Sequence, residues 1–227
     1  GQVAGQTDGT ANKATDNSNQ SAGYQDGYVN GQRLGTQFYK NAETAGETVG
    51  TKAGEAGQVP ADLKDQPQGY QEGYTSAYEA GKASYDTDYQ NGQVAGQTDG
   101  TANKATDNSK QSAGYQDGYV NGQRLGEQFY NNAKTEGVTD GTKAGEAGQV
   151  PADLNGQPQG YQVGYTSAYE VGKAGYDTDY QTGQAAGQSA GESNQVPADL
   201  KDQSQGYQDG YTMSLKPISE TNRHDNQ

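Results

Sequence analysis

A motif of glycine and tyrosine with a four-residue step recurs along this chain and constrains its fold more than any other feature. It begins at Gly23 as GYQDGYVNGQRLG and returns, in full or in part, at Gly69, Gly114, Gly160 and Gly206. A step of four residues is close to the 3.6-residue turn of an α-helix and far from the strand period of two. The motif therefore predicts long helices that carry a stripe of glycine and tyrosine along one side.

The chain is organised as 91-residue repeats, each made of two related halves. The repeat boundaries are 1–91, 92–182 and a truncated third copy at 183–215, followed by a polar tail at 216–227. Prolines and turn-forming residues separate the halves, because helices reject proline internally. The predicted helices are Ala22–Gly57, Gly69–Ala105, Ala113–Gly148 and Gly160–Ser193, with a stub from Gly206 to about Leu215 that ends before Pro217. We expect a piece of a longer array.

The composition leaves little material for an ordinary core. Only 29% of the residues are apolar, and the chain has 35 Gly and 18 Tyr but no Trp and no Cys. Such a composition is near that of disordered chains, so a largely disordered low-complexity chain is the alternative fold. A repeat protein avoids this limit because each unit only has to bury one face against its neighbours. We therefore expect an all-α repeat array of long antiparallel helices.

The helix packing can be predicted from the cost of glycine. Each interior glycine destabilises a helix by about 1 kcal/mol relative to alanine, so close packing against a neighbour must compensate. If adjacent segments fold back antiparallel about Asp62, tyrosine rings of one helix face glycine gaps of the next. The expected pairs are Tyr70 with Gly54, Tyr74 with Gly50, Tyr78 with Gly46, Gly96 with Tyr28, Gly100 with Tyr24 and Tyr85 with Tyr39. The predicted packing residues are Tyr24, Tyr28, Tyr39, Gly46, Gly50, Gly54, Tyr70, Tyr74, Tyr78, Tyr85, Tyr89, Gly96, Gly100, Tyr115, Tyr119, Tyr161 and Tyr165.

The sequence offers no constellation of catalytic residues. The single histidine, His224, lies in the polar tail, and without cysteine there is no thiolate site. The acidic residues of YDTDY, Asp86 and Asp88, are two apart and would point to different sides of a helix. The loops around Asp16 and Asp62 contain oxygen ligands that suit calcium but lack the ligand density of an EF-hand loop. We expect no enzyme activity, no metal and no cofactor.

The charge and hydropathy limit the possible partners. The net charge of −14 argues against nucleic acid and against an anionic membrane. No run of 18 apolar residues is present, so no membrane span is expected. If the tyrosine rings faced outward, they could stack on sugars, which makes a multivalent glycan-binding module the alternative function. Gly1, Gly5 and Gly9 at one end complement Tyr207 and Tyr211 at the other, so self-association is expected as well.

The GYQDGY motifs with their intervening glycine and alanine steps resemble repeat regions of large surface proteins of lactobacilli and related Gram-positive bacteria, which are secreted or attached to the wall. The resemblance covers residue 1 to about 211. It implies a stalk, spacer or adhesive array at the cell surface or outside the cell, with cell-wall or host glycans as possible partners. No LPxTG motif is present in this sequence. The stretch AGETVGTKAGEAG resembles, less closely, disordered stress-protective proteins with 11-residue repeats.

Overall fold

The computed structural model describes residues 1–193 and 198–221, with side chains up to Leu215. This part of the chain contains helices and no strand, which confirms the all-α repeat array and excludes the disordered alternative. His224, in the predicted tail, lies outside the described residues. The helices are α1 (Gln2–Thr10), α2 (Ala22–Glu55), α3 (Gln68–Thr101), α4 (Ala113–Glu146), α5 (Gln159–Glu192) and α6 (Gln205–Thr221).

The crossovers after α1, α2, α3 and α4 begin with a tight turn at the end of the preceding helix. At the end of α2, Gly57 has a φ of +63°, and the Gln58 N–H donates to the Ala53 carbonyl at 3.0 Å. This is the Schellman arrangement, which needs a left-handed residue after the helix. Gly148 takes the same conformation, and Asn12 and Asn103 take it after α1 and α3. The predicted stub is too short, because α6 continues past Pro217 to Thr221. An interior proline removes one hydrogen bond and crowds the preceding turn, which can kink a helix without ending it.

The helices form two compact units. The first contains residues 1–97 and 106–123, and the second contains residues 98–105 and the described residues from 124 onward. In the first unit the C-terminal half of α2 packs against the N-terminal half of α3, with Gly46 against Tyr70 and Gly54 against Tyr78. In the second unit α4 meets α5, and α5 meets α6, in the same way. Residue numbers rise together on both partners, so neighbouring helices run parallel.

The antiparallel arrangement expected from the sequence is therefore wrong. Gly46 contacts Tyr70 and not Tyr78, and Gly96 contacts Tyr119 of α4 and not Tyr28 of α2. Of the pairs expected between α2 and α3, only Gly50 with Tyr74 is found, since that pair is common to both directions. The crossover between α2 and α3, residues 56–67, can span up to about 40 Å when extended. It only has to return roughly 20 Å for α3 to start beside the middle of α2.

The core contains almost no aliphatic side chains. Among the residues whose side chains are described, the buried apolar ones are tyrosine and alanine only, together with the buried glycines. Seven tyrosines are buried, at 2% to 8% exposure. Phe38 and Phe129, by contrast, are 54% and 53% exposed. Tyrosine and glycine thus replace the usual aliphatic core, as the composition requires.

Candidate functional site

The repeated structural site is the junction, defined as the overlap of one helix's C-terminal half with the next helix's N-terminal half and their crossover. In the α2–α3 junction, a Cβ atom at Gly50 would lie 2.3 Å from the carbonyl oxygen of Tyr74. From the other side, a Cβ at Gly73 would lie 2.2 Å from the carbonyl oxygen of Glu43. No side chain fits at either place. The two backbones approach closely enough for Cα–H···O contacts, which recur at tight helix interfaces.

The same contact recurs at every junction. It joins Gly1 to Tyr24, Gly5 to Tyr28, Gly46 to Tyr70, Gly54 to Tyr78, Gly92 to Tyr115, Gly96 to Tyr119, Gly137 to Tyr161 and Gly141 to Tyr165. In the reverse direction it joins Gly69 to Tyr39, Gly114 to Tyr85 and Gly118 to Tyr89. Gly100 is buried near the end of α3, and its expected partner Tyr24 contacts Gly1 instead. The tyrosine backbone, and not the ring, thus occupies the space that glycine leaves.

The rings instead hold the crossovers. The Tyr74 hydroxyl accepts a hydrogen bond at 3.0 Å from the backbone N–H of Ala61, thirteen residues earlier in the crossover. The same spacing joins Thr15 to Tyr28, Thr106 to Tyr119, Ala152 to Tyr165 and Ala198 to Tyr211. These five rings are 2% to 5% exposed. The second tyrosine of each motif therefore fixes the path by which the chain returns to start a parallel helix.

The glutamine of the motif and an acidic residue shape the turn before each helix. Gln71 Nε2 donates to the Gln66 carbonyl at 2.7 Å, and the Lys64 N–H donates to Asp62 Oδ1 at 3.2 Å. Equivalent glutamines are Gln25, Gln116, Gln162 and Gln208, and equivalent acids are Asp16, Asp107, Asp153 and Asp199. The oxygens of Asp16 and Asp62, considered above for calcium, therefore accept backbone hydrogen bonds in Asx turns. Among the described residues, no group of three or more metal-ligating side chains is found.

A tyrosine hydroxyl also bonds a carboxylate of the next helix at three junctions. Tyr39 donates to Glu72. That hydrogen bond, with burial as a smaller cause, raises the pKa of Tyr39 to about 12, and it lowers the pKa of Glu72. Equivalent pairs are Tyr85 with Asp117 and Tyr176 with Asp209, both at 2.7 Å, where the pKa of each tyrosine is also about 12. These bonds tie the middle of one helix to the first turns of the next.

Sequence reasoning found the glycines and tyrosines but missed the glutamine and acidic residues of the motif. Their signal was present in the fixed order GYQDGY, in which each position makes its own contact. Whether the rings face the core was open, and the structure answers it: none of the 18 tyrosines, all of them described, is exposed. The rings that are not buried are half-buried, and many stack on a neighbour one turn away, as Tyr70 does on Tyr74 at 6.2 Å.

Open grooves lie beside the junctions. One in the second unit has a volume of about 990 Å³ and is lined in part by Val138, Lys143 and Tyr176. A smaller one of about 460 Å³ occupies the equivalent place in the first unit, beside Lys52 and Tyr85. Their walls mix apolar and charged side chains.

No family model matches the chain, and no curated protein or solved structure matches it either. No helix in the described part is long and apolar enough to cross a membrane.

Proposed function

We propose that this chain is a non-enzymatic structural repeat region, a stalk, spacer or adhesive array of an extracellular bacterial surface protein. One observation carries the proposal: every residue type of GYQDGY makes an architectural contact. Glycine leaves room for the backbone of the neighbouring helix, and the hydroxyl of the second tyrosine accepts a hydrogen bond from the crossover. The glutamine side chain donates to a carbonyl in the turn before the helix, and the acidic side chain accepts a hydrogen bond from a tyrosine of the preceding helix. A motif used in this way allows repeats to be added through the same contacts.

The parallel offset between helices supports a spacing role. Contacting residues on neighbouring helices are 23 to 30 positions apart, as in Gly5 with Tyr28 and Gly69 with Tyr39. Equivalent residues of neighbouring helices, such as Tyr39 and Tyr85, are about 46 positions apart. Each helix therefore begins about 18 residues, or roughly 27 Å, farther along than the one before it. Antiparallel helices of this length would gain no such advance.

A distance measurement within the first unit tests this advance. Val29 and Val120 are equivalent positions 91 residues apart, and both are exposed, at 65% and 66%. Spin labels at these two sites should be roughly 55 Å apart along the helix direction, two helix advances. The antiparallel arrangement would place them side by side. A short distance between the labels would therefore rule out both the parallel junction and the spacer built from it.

Small-angle X-ray scattering on chains of increasing length tests the proposed function itself. Chains with one, two and three 91-residue repeats should show equal increases in maximum dimension. A compact particle would instead grow as roughly the cube root of its length. Growth of that kind would contradict the spacer role, even if the label distance within one unit were as expected.

The extracellular and bacterial parts of the proposal rest on the resemblance to surface-protein repeats. Antibodies raised against the chain should label intact, unpermeabilised cells of the producing organism. Labelling that required permeabilisation would contradict a surface location.

Glycan binding is the second candidate, and burial restricts how it could occur. Seven rings are buried, so a sugar could only reach the half-buried ones, such as Tyr70 and Tyr161. Calorimetric titration with cell-wall and host oligosaccharides should show saturable binding that is lost on Tyr70→Ala or Tyr161→Ala. Absence of binding across the panel would leave the purely structural role.

Self-association is a further proposed property. The two ends do not offer the complementary faces expected from the sequence, because Gly1 and Gly5 contact Tyr24 and Tyr28, and Tyr207 and Tyr211 contact Gly183 and Gly187, within the chain. The charge of −14 opposes it, so association should strengthen as salt screens that charge. Light scattering across a salt series measures this, and a strict monomer at every ionic strength would contradict it.

A further inference from the structure

Four Asn–Gly pairs occur in the chain, and only one of them lies outside a helix. The helical pairs are Asn30–Gly31 in α2, Asn91–Gly92 in α3 and Asn121–Gly122 in α4. The fourth, Asn155–Gly156, lies in the crossover between α4 and α5, and both of its residues are exposed. We propose that Asn155 is a site of spontaneous covalent modification, at which the side-chain amide is lost and a mixture of aspartate and isoaspartate forms.

The chemistry needs only the chain and water. The backbone nitrogen of Gly156 attacks Cγ of Asn155 and forms a new C–N bond, and the bond from Cγ to the side-chain nitrogen breaks. Ammonia leaves with the proton that Gly156 gives up, and a five-membered succinimide remains. Water then opens the ring: attack at Cγ gives aspartate, and attack at the backbone carbonyl carbon gives isoaspartate. No oxidant or reductant takes part.

The local backbone leaves this nitrogen accessible. Gly156 has a φ of +80°, and the Gln157 N–H donates to the Leu154 carbonyl at 3.1 Å. These features fit a type II turn with Asn155 and Gly156 at its centre. Nothing lies within 4 Å of the place where a Cβ of Gly156 would be. The ring closure can therefore proceed with local motion of an exposed turn, and no packed contact has to break.

The three helical pairs are held in a different way. Their glycine N–H groups belong to the interior hydrogen-bond ladder of long helices. A Cβ at Gly31, Gly92 or Gly122 would in each case lie 2.0 Å from a backbone oxygen of the neighbouring helix. Bringing such a nitrogen onto the asparagine side chain requires unwinding a helix and opening a junction. These pairs are internal controls in the same molecule.

The site is specific to this crossover. The equivalent turn between α2 and α3 has Lys64 and Asp65 in place of Asn155 and Gly156. None of the other crossovers in the described part contains an Asn–Gly pair. Modification would add a negative charge two residues from Asp153, in the crossover that Tyr165 holds through Ala152.

Peptide mapping by mass spectrometry tests the proposal on the intact chain. The folded protein is incubated at mildly alkaline pH, where the attacking nitrogen loses its proton more readily, and is digested at acidic pH. We expect conversion at Asn155, with the three helical asparagines slower by at least about tenfold. A parallel sample in urea should convert all four at similar rates. If Asn155 in the folded chain is unchanged, or converts no faster than the helical three, the proposal is wrong.

Two variants sharpen the result. Gly156→Asp introduces the residue that the first repeat has at this place, Asp65, which does not take a positive φ. It should suppress conversion at Asn155, because its side chain hinders the attacking nitrogen and disfavours the φ of +80°. The double change Lys64→Asn with Asp65→Gly should create a second reactive site between α2 and α3. Circular dichroism shows whether both variants keep their helices. Failure of the folded double variant to convert at position 64 would show that an Asn–Gly pair in an exposed crossover turn is not sufficient for the reaction, and so would overturn the proposal.

Discussion

The α2–α3 and α4–α5 junctions share one architecture but place a tyrosine–carboxylate hydrogen bond at different positions. In α2–α3 the bond runs from Tyr39 to Glu72, and Val163 stands in the equivalent of the Glu72 position in α4–α5. In α4–α5 the Tyr161 hydroxyl donates to Asp140 at 2.8 Å, where α2 has Val49 in the equivalent position. Each junction therefore has one tyrosine–carboxylate bond that the other junction lacks.

The contacts that do not differ are the ones that specify the fold. A Cβ would lie 2.3 Å from the partner carbonyl oxygen at both Gly50 and Gly141. The hydroxyls of Tyr74 and Tyr165 both accept from their crossover at 3.0 Å. The acceptors Glu72 and Asp140 are exposed, and bonds to exposed carboxylates contribute little and can move without changing the backbone. We therefore expect glycine packing to contribute most to stability, the crossover hydrogen bonds less, and the tyrosine–carboxylate bonds least.

The largest expected effect is from Gly50→Ala or Gly141→Ala. Either Cβ would overlap a backbone carbonyl, which cannot move aside as a side chain could, so we expect the helices to separate locally. The free energy of unfolding should fall by about 1–3 kcal/mol or more, although alanine by itself favours a helix over glycine by about 1 kcal/mol. Thermal melts measure it, and similar losses are expected in both junctions.

Gly175→Ala is the matched control. Nothing lies within 4 Å of a Cβ at Gly175, and the equivalent residue of α3 is Ser84. The only effect of this change is the higher helix propensity of alanine, so the free energy of unfolding should rise by up to about 1 kcal/mol. A raised melting midpoint for Gly50→Ala as well would contradict backbone packing at the junction.

The helices could be predicted from the sequence because their periodicity is a local property. The four-residue step and the turn residues placed α2 through α5 within a few residues of their observed ends. The direction of packing could not be predicted in this way, since a stripe with a constant step looks the same in both directions. The direction of packing depends on a non-local contact. The Tyr74 hydroxyl of α3 accepts a hydrogen bond from Ala61 in the crossover, so the crossover runs back along α2 before α3 begins. The rule that short connections join antiparallel helices gave the wrong direction for this chain.

The candidate site was predicted in part for a related reason. Glycine spacing indicates close approach, but it does not tell whether a ring or a backbone fills the space. The backbone fills it because both helices have glycines at the interface. Gly50 of α2 contacts the backbone of α3, and Gly73 of α3 contacts the backbone of α2, so the helices lie too close together for a ring to fit between them. The rings are displaced to the flank, where Tyr74 covers the crossover. The role of Gln71 could have been found from its fixed position after the first tyrosine of the motif.

The second prediction concerns Tyr74→Phe and Tyr165→Phe. Each change removes an acceptor and leaves a crossover N–H without its partner, so each should destabilise by about 1 kcal/mol. The effects should be equal, since both bonds are 3.0 Å long. Chemical denaturation measures them, with Tyr70→Phe as control, because the structure shows no hydrogen bond for the Tyr70 hydroxyl. An effect of Tyr70→Phe as large as that of Tyr74→Phe would contradict the assigned role.

A smaller effect is expected when the carboxylate bond is moved. Glu72→Val copies α4–α5 and should weaken the α2–α3 junction slightly, because Tyr39 loses its acceptor. Adding Val49→Asp should recover part of that loss by giving Tyr70 the acceptor that Tyr161 has in Asp140. Denaturation midpoints of the single and double variants measure this. If Val49→Asp has the same effect whether or not Glu72 is present, the two bonds do not substitute for each other.

The smallest effect is an alkaline titration of the same bond. The pKa of Tyr39 is raised from 10.0 to about 12, because its hydroxyl donates to Glu72 and ionisation would place two negative charges together. The bond therefore contributes fully between the ordinary pKa of a glutamate, 4.5, and pH 10. Its contribution is lost as the pH rises toward 12, and also at acidic pH, where Glu72 takes up a proton. Phenolate absorbance should show late ionisation of Tyr39, Tyr85 and Tyr176. Glu72→Val should return only Tyr39 toward its ordinary pKa, whereas Tyr85 and Tyr176 keep Asp117 and Asp209. An unchanged late phase in Glu72→Val would mean that burial, and not the carboxylate, holds the Tyr39 proton.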